Sequence, residues 1–147
     1  MSEEACQKFD TFCDLAEKYG LKLVVGLITG HMSFREYAPP AFEGRHRLSD
    51  PTVLKWQLRF VRYFVRRFRG RAAIAGWDLG NEVNNMAHGE EFTDDDFYVW
   101  CSAVSDAIRA NDPVHPVISG MDASSISRQA ANLEVIRDTC DIHTCHP

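Results

Sequence analysis

The 147-residue sequence lacks any apolar run close to the roughly 20 residues that a membrane-spanning helix requires. Its first residues, Met1-Ser2-Glu3-Glu4, have neither a basic region nor an apolar core, so they do not resemble a signal peptide. Repeats, linkers and low-complexity stretches are also lacking, which indicates one domain over residues 1–147. We therefore expect no membrane partner for this chain.

An excess of positive charge and a paired-cysteine pattern are missing as well. Sixteen Lys and Arg stand against twenty-one Asp and Glu, and the net charge of -5 gives no overall attraction to nucleic acid. The five cysteines are an odd number without a CxxC pair, which argues against a disulfide framework and favours a reducing compartment such as the cytoplasm. Cys145, His143 and His146 lack the spacing of known zinc motifs, so we expect no metal and no cofactor.

What is present is an alternation of helices and strands. We expect apolar strands near residues 21–28, 73–79, 116–119 and 140–144, each preceded by a helix. Such alternation predicts an α/β fold with a parallel sheet, either an open doubly wound sheet or part of a closed (β/α)8 barrel. The open sheet usually has a glycine-rich phosphate loop after its first strand, which residues 29–33 do not form. Polar residues follow every strand instead, which favours the barrel.

The most informative stretch is Gly76-Trp77-Asp78-Leu79-Gly80-Asn81-Glu82, in which an apolar strand ends on an amide and a carboxylate. The carboxyl end of a parallel strand is where α/β enzymes place their chemistry. A carboxyl group there can act as a general acid or base, and the amide can hold a substrate hydroxyl. The dipeptide alone leaves a second interpretation open, in which it caps the next helix.

This stretch, together with residues 50–56 and the ending Asp141-Ile142-His143-Thr144-Cys145-His146-Pro147, resembles the retaining glycoside hydrolases that are built on (β/α)8 barrels. The resemblance is greatest to the family 5 type of cellulases and mannanases, and it covers almost the whole chain. It implies hydrolysis of β-glycosidic bonds, with a carbohydrate as partner. The expected strands would be barrel strands three to six, so about half of a barrel of typically about 250 residues is expected here.

The resemblance also implies roles for individual residues. Glu82 would be the catalytic acid/base, and Asn81 would bond the 2-hydroxyl of the sugar. His31, after the first strand, and His146, after the fourth, would donate to sugar hydroxyls in the same cleft, although either could be an ordinary polar residue. The nucleophile, a Glu, would lie beyond Pro147, so the chain would be a central fragment without activity of its own.

Other side chains allow less specific expectations. Phe34 and Tyr37, on the long loop after the first strand, are candidates for stacking on sugar rings, whereas Trp77 is expected to pack between barrel and helix. Asp78 should form hydrogen bonds inside the barrel, and Asp122 lies at the correct rim without an assigned role.

Two alternatives to an enzyme remain. A half-barrel has open sheet edges, so the chain could be a non-catalytic carbohydrate-binding module or a homodimer. The arginines of the second helix and its end could instead bind nucleic acid, but a solvated outer face explains them more simply. The members of this arginine cluster are Arg59, Arg62, Arg66, Arg67, Arg69 and Arg71.

Overall fold

The computed structural model of the protein describes residues 1–33, 35–87, 91–122 and 130–146. The helices are α1 (Glu3–Lys18), α2 (Pro51–Phe68), α3 (Asp94–Arg109) and α4 (Ala130–Thr139). The strands are β1 (Leu23–Gly26), β2 (His31–Met32), β3 (Arg35–Glu36), β4 (Ile74–Asp78), β5 (Val117–Ile118), β6 (Met121–Asp122) and β7 (Cys145–His146). Short 3-10 turns cover Pro40–Phe42 and Val83–Asn85.

The central sheet is parallel, and its strands β1, β4 and β5 lie side by side in the same order as in the sequence. β1 pairs with β4, and β4 pairs with β5. Ile118 then bridges Ile142 in parallel, which continues the series beyond β5, and β6 pairs with β7 further along. This sequential order with helical crossovers is that of a barrel, because a doubly wound sheet reverses its order at a switch point.

The strands are shorter than the apolar runs that predicted them, most clearly at the fourth. Where residues 140–144 were expected to form a strand, the structure has a single bridge at Ile142, and the regular strand lies at Cys145–His146. Backbone bonds join Val117 and Ser119 to Asp141 and Ile142, and two side chains add further bonds. Asp141 accepts from the backbone N–H of Val117 at 2.8 Å, and the Ser119 hydroxyl accepts from the N–H of Thr144 at 3.0 Å.

The helices begin where their capping signals stand. Asp50 accepts from the N–H groups of Thr52 and Val53, and Pro51 occupies the first helical turn, where its missing N–H has no cost. Thr93 and Asp96 form a reciprocal capping box at the start of α3. The long loop after β1 contains the short antiparallel hairpin of β2 and β3.

The core lies between the helices and the outer side of the sheet. Trp77 of β4 is fully buried there, with the Phe64 ring edge-on at 6.3 Å between centroids, and its indole N–H donates to Asp112 at 2.8 Å. Trp77 is therefore a packing residue, as expected. All five cysteines are free thiols. No helix in the described ranges has the length and apolar character that crossing a bilayer demands.

Several residues of the arginine cluster hold helices in place. Arg67 of α2 forms an ion pair with Glu3 of α1 at 2.6 Å. Arg71, which follows α2, forms an ion pair with Glu17 of α1 at 3.1 Å. Arg66 donates to the amide oxygen of Asn111 at 3.0 Å. Because the two ion pairs are exposed to solvent, each contributes little stability alone.

Gly80, just after β4, lies at a close backbone approach. A Cβ atom added at this position would overlap the carbonyl group of Ile28, which lies just beyond β1. A backbone neighbour cannot rotate away, so the strands themselves would have to move apart.

We predict that Gly80→Ala lowers the free energy of unfolding by at least about 2 kcal/mol, because it forces two strand ends apart. Urea unfolding of the purified chain measures this. Gly26→Ala is the matched control, since a Cβ atom on this β1 residue meets no heavy atom within 4 Å. Equal stability of the two variants would contradict the close approach.

Candidate active site

Glu82 is held just after β4 by backbone hydrogen bonds to neighbouring parts of the sheet. The Leu79 carbonyl accepts from Ile28 at 3.0 Å, and the N–H of Glu82 donates to the Gly120 carbonyl at 2.8 Å. Glu82 itself adopts the left-handed conformation, with φ 49° and ψ 53°. This conformation is uncommon for a residue with a side chain, and strain of this kind concentrates at functional sites.

Two histidines face the two oxygens of the Glu82 carboxylate. The Nδ1 atom of His31 lies 3.2 Å from Oε2, and the Nδ1 atom of His146 lies 3.4 Å from Oε1. The tautomer with a proton on Nδ1 donates to the carboxylate in each case. The His31 side chain is only 9% exposed, whereas that of His146 is 40% exposed, so one imidazole forms the wall and the other the rim of the site.

Asn81 supports this cluster from the backbone side. Its Nδ2 atom donates to the carbonyl oxygen of His31 at 2.9 Å, which fixes the segment that carries the buried imidazole. The sequence did not predict this contact. The structure thus brings together Glu82, Asn81, His31 and His146, while their roles toward a substrate stay predictions.

The interpretation of Asn81-Glu82 as a helix cap is wrong. The 3-10 turn Val83–Asn85 follows Glu82 directly, yet the Glu82 side chain makes no capping bond to it. Its two carboxylate oxygens face His31 and His146 instead.

Sequence reasoning missed two asparagines beside the site. Asn84 is buried and accepts from the N–H of Asp122 at 3.2 Å, which places Asp122 at the rim as expected. Asn85 reaches Glu82 Oε2 only at 3.5 Å, a weak contact. The run Asn84-Asn85 was the only available signal, and by itself it indicates a turn.

Tyr37 is half-exposed and lines an apolar cavity of about 530 Å³ beside Gly30, together with Phe42 and Trp56. Phe34, the other stacking candidate, lies outside the described residues. Among the residues that the structure describes, no group of three or more His, Cys, Asp or Glu side chains is arranged to hold a metal ion.

Asp78 lies beneath the cluster, on β4. Its carboxylate accepts from the N–H of Gly80, two residues further along the chain, at 2.9 Å. Burial raises the pKa of Asp78 to about 6, while the bond from Gly80 and the charge of His146 act in the opposite direction. The native state therefore favours the protonated form of Asp78, and unfolding between about pH 4 and pH 6 releases the proton.

The parallel β/α units, with polar residues at the strand ends, define a piece of a (β/α)8 barrel. No protein-family model matches the chain. It is 26% identical over 131 residues to a probable mannan endo-1,4-β-mannosidase F of Neosartorya fischeri, covering 84% of this chain and 27% of that protein. It is 25% identical over 126 residues to the mannan endo-1,4-β-mannosidase F of Aspergillus clavatus. This match covers 82% of this chain and 28% of that protein.

Solved structures agree on the fold. A GH5_18 protein of Streptomyces cattleya, in complex with GlcNAc, has a TM-score of 0.78 at 20% identity, over 84% of this chain and 32% of that one. The exo-β-1,4-mannosidase Op5Man5 of an Opitutaceae bacterium has a TM-score of 0.69 at 25% identity, and the match covers 77% of this chain and 21% of that one. These matches confirm that the chain folds as part of a barrel. They also confirm the predicted resemblance of the chain to family 5 glycoside hydrolases. The chain spans little more than a quarter of the curated relatives that it matches.

We predict a distinct pH dependence of stability for Asp78→Asn. The native pKa of about 6 lies above the ordinary 3.8, so the carboxyl group stabilises the native state below pH 4 and that contribution is lost as the pH rises through 6. The amide does not ionise and so has no such loss. Between pH 4 and 7 the free energy of unfolding of the variant should therefore rise relative to that of the wild type by on the order of 2 kcal/mol.

Urea unfolding of both proteins at several pH values measures this difference. Asp106→Asn, at an exposed position on α3, is the control and should run parallel to the wild type. Parallel profiles for Asp78→Asn as well would show that Asp78 keeps its ordinary ionisation in the folded chain.

Proposed function

We propose that the chain carries the acid/base part of the active site of a retaining β-glycoside hydrolase, in which Glu82 moves the proton. The observation that supports this most is the position of Glu82. It lies at a parallel strand end on left-handed backbone, and each of its oxygens faces an imidazole from another β/α unit. The two imidazoles fix the carboxylate in one orientation, which proton transfer to a defined atom requires.

Two carboxyl groups about 5–5.5 Å apart share the work of a retaining glycosidase. In our proposal Glu82 gives its proton to the glycosidic oxygen while a second carboxylate attacks the anomeric carbon and the leaving sugar departs. Glu82 then accepts a proton from water, which attacks the glycosyl-enzyme and releases the second carboxylate. The nucleophile would be supplied by sequence outside these 147 residues.

The substrate class follows from the relatives. Two of them carry names for hydrolysis of β-1,4-mannan, so we propose a β-mannoside as substrate. In this proposal Asn81 and His146 take part in holding sugar hydroxyls. Asn81 retains a second N–H beyond the one that it donates to His31, and the imidazole of His146 is the more accessible of the two.

We predict that Glu82→Gln, in a longer polypeptide that carries this chain, slows hydrolysis according to the leaving group. Turnover of an alkyl β-mannoside, whose leaving group needs a proton, should fall about 10²–10⁴-fold. The glycosylation step of a dinitrophenyl β-mannoside, whose leaving group departs without help, should change little. Single-turnover kinetics on the two substrates give this comparison.

Glu43→Gln, at an exposed position on the loop before α2, is the matched control and should leave both rates unchanged. Equal loss on both substrates would assign Glu82 a structural role. The 147-residue chain alone should show no appreciable turnover, since acid catalysis without a nucleophile is insufficient.

A second candidate is a self-associating, non-catalytic module, and the exposure of apolar side chains around β1 favours it. Val24 of β1 is 58% exposed, and Leu21 just before it is 59% exposed. Phe12 and Leu15 of α1 are also exposed. An uncovered apolar strand invites pairing, so we propose that a second copy covers this surface when the chain is alone.

We predict that the purified chain is a dimer at micromolar concentration and that Val24→Lys makes it monomeric, since the charge would be buried in the interface. Light scattering after size-exclusion chromatography measures the mass. Val114→Lys is the control, because this residue is 82% exposed and lies in the loop after α3. A monomeric wild-type chain would refute the dimer without affecting the proposal for Glu82.

A further inference from the structure

The segment from Ser119 to Asp122 lies between the two halves of the candidate active site. On one side of this segment, the N–H of Glu82 donates to the Gly120 carbonyl at 2.8 Å. On the other side, Asp122 of β6 pairs in parallel register with His146 of β7, whose imidazole faces the Glu82 carboxylate. The segment therefore joins the carboxylate to the histidine at the rim of the site.

Asn84 adds a further bond to this segment. The carbonyls of every second residue over 116–120 accept backbone bonds from residues 77–82. The next bond along the segment comes from a side chain, because the Asn84 amide oxygen accepts from the N–H of Asp122 at 3.2 Å. The amide oxygen thus takes the place of a backbone carbonyl beyond the end of β4, beside the residue that pairs with His146.

The nitrogen of the Asn84 amide is buried without a partner. Only the amide oxygen can accept from a backbone N–H, so the contact with Asp122 fixes which way the amide lies. The residue is 6% exposed, and among the described residues no acceptor reaches its Nδ2 atom. An unsatisfied buried donor lowers stability. The amide is therefore present although half of it is unfavourable for folding, which indicates a role for its oxygen beyond stability.

We propose that Asn84 is a positioning residue, which holds β6 and thereby places the His146 imidazole against the Glu82 carboxylate. Asn81 holds the segment of His31 on the buried side of the same carboxylate, so each histidine has its own asparagine. The link to proton transfer rests on the proposed function of Glu82, whereas the contact between His146 and Glu82 does not.

NMR of the ring nitrogens in the purified chain tests the contact, at about pH 8.5, where an ordinary imidazole is neutral. A bond from Nδ1 to Glu82 keeps the proton on Nδ1, so this tautomer should predominate at His146 in the wild type. In Asn84→Ala it should become the minority form at His146, while His31, supported by Asn81, keeps its tautomer. His146→Gln identifies the signal of that residue.

Two further variants separate positioning from stability. Asn84→Leu keeps most of the side-chain volume but not the oxygen, so it should change the His146 tautomer as Asn84→Ala does. Val61→Ala leaves a cavity in the core under α2, which lowers stability, and should not change the tautomer. Circular dichroism shows that the variants fold.

In a longer, active polypeptide, Asn84→Ala should slow hydrolysis of an alkyl β-mannoside at least about tenfold more than that of a dinitrophenyl β-mannoside, since only the former needs the proton. An unchanged His146 tautomer in both Asn84 variants would overturn the proposal, as would the same change in Val61→Ala. Equal slowing of the two substrates by Asn84→Ala, where Glu82→Gln discriminates between them, would also overturn it. The NMR comparison needs no activity, so its failure leaves the proposal for Glu82 standing.

Discussion

The close approach of strand ends around Gly80 is the constraint on which the candidate site depends. Only a residue without a side chain lets the Ile28 carbonyl lie so near β4, and the next backbone bond joins Glu82 to Gly120 on the other side. These contacts connect three β/α units within a few residues. The left-handed conformation of Glu82 persists because the backbone on both sides of it is fixed in this way.

The consequence for chemistry is a carboxylate whose surroundings come from separate parts of the chain. His31 precedes Glu82 by 51 residues and His146 follows it by 64, yet both imidazoles reach it. Beneath them Asp78 is favoured in its protonated form by burial. With a pKa of about 6, Asp78 is neutral only below that pH, and at neutral pH it adds a negative charge near Glu82.

The same fold leaves other surfaces uncovered. Apolar side chains near β1 are exposed, and β1 has one pairing partner in the described sheet. The cationic face of α2, which carries Arg59 and Arg62, differs in kind. It lies on the exposed side of the helix, opposite Val53, Val61 and Val65, which face the core.

The sequence by itself determined the features that depend on local physics. Local capping residues begin α2 and α3, and the alternation of helices and strands along the sequence predicted the parallel β/α units. Tertiary structure decided the rest. At the fourth strand the side chains of Asp141 and Ser119 bond to the backbone of the neighbouring segment, and Asn81 supports His31 across 50 residues. Contacts between distant residues arise only when the strands align, and no local pattern encodes that alignment.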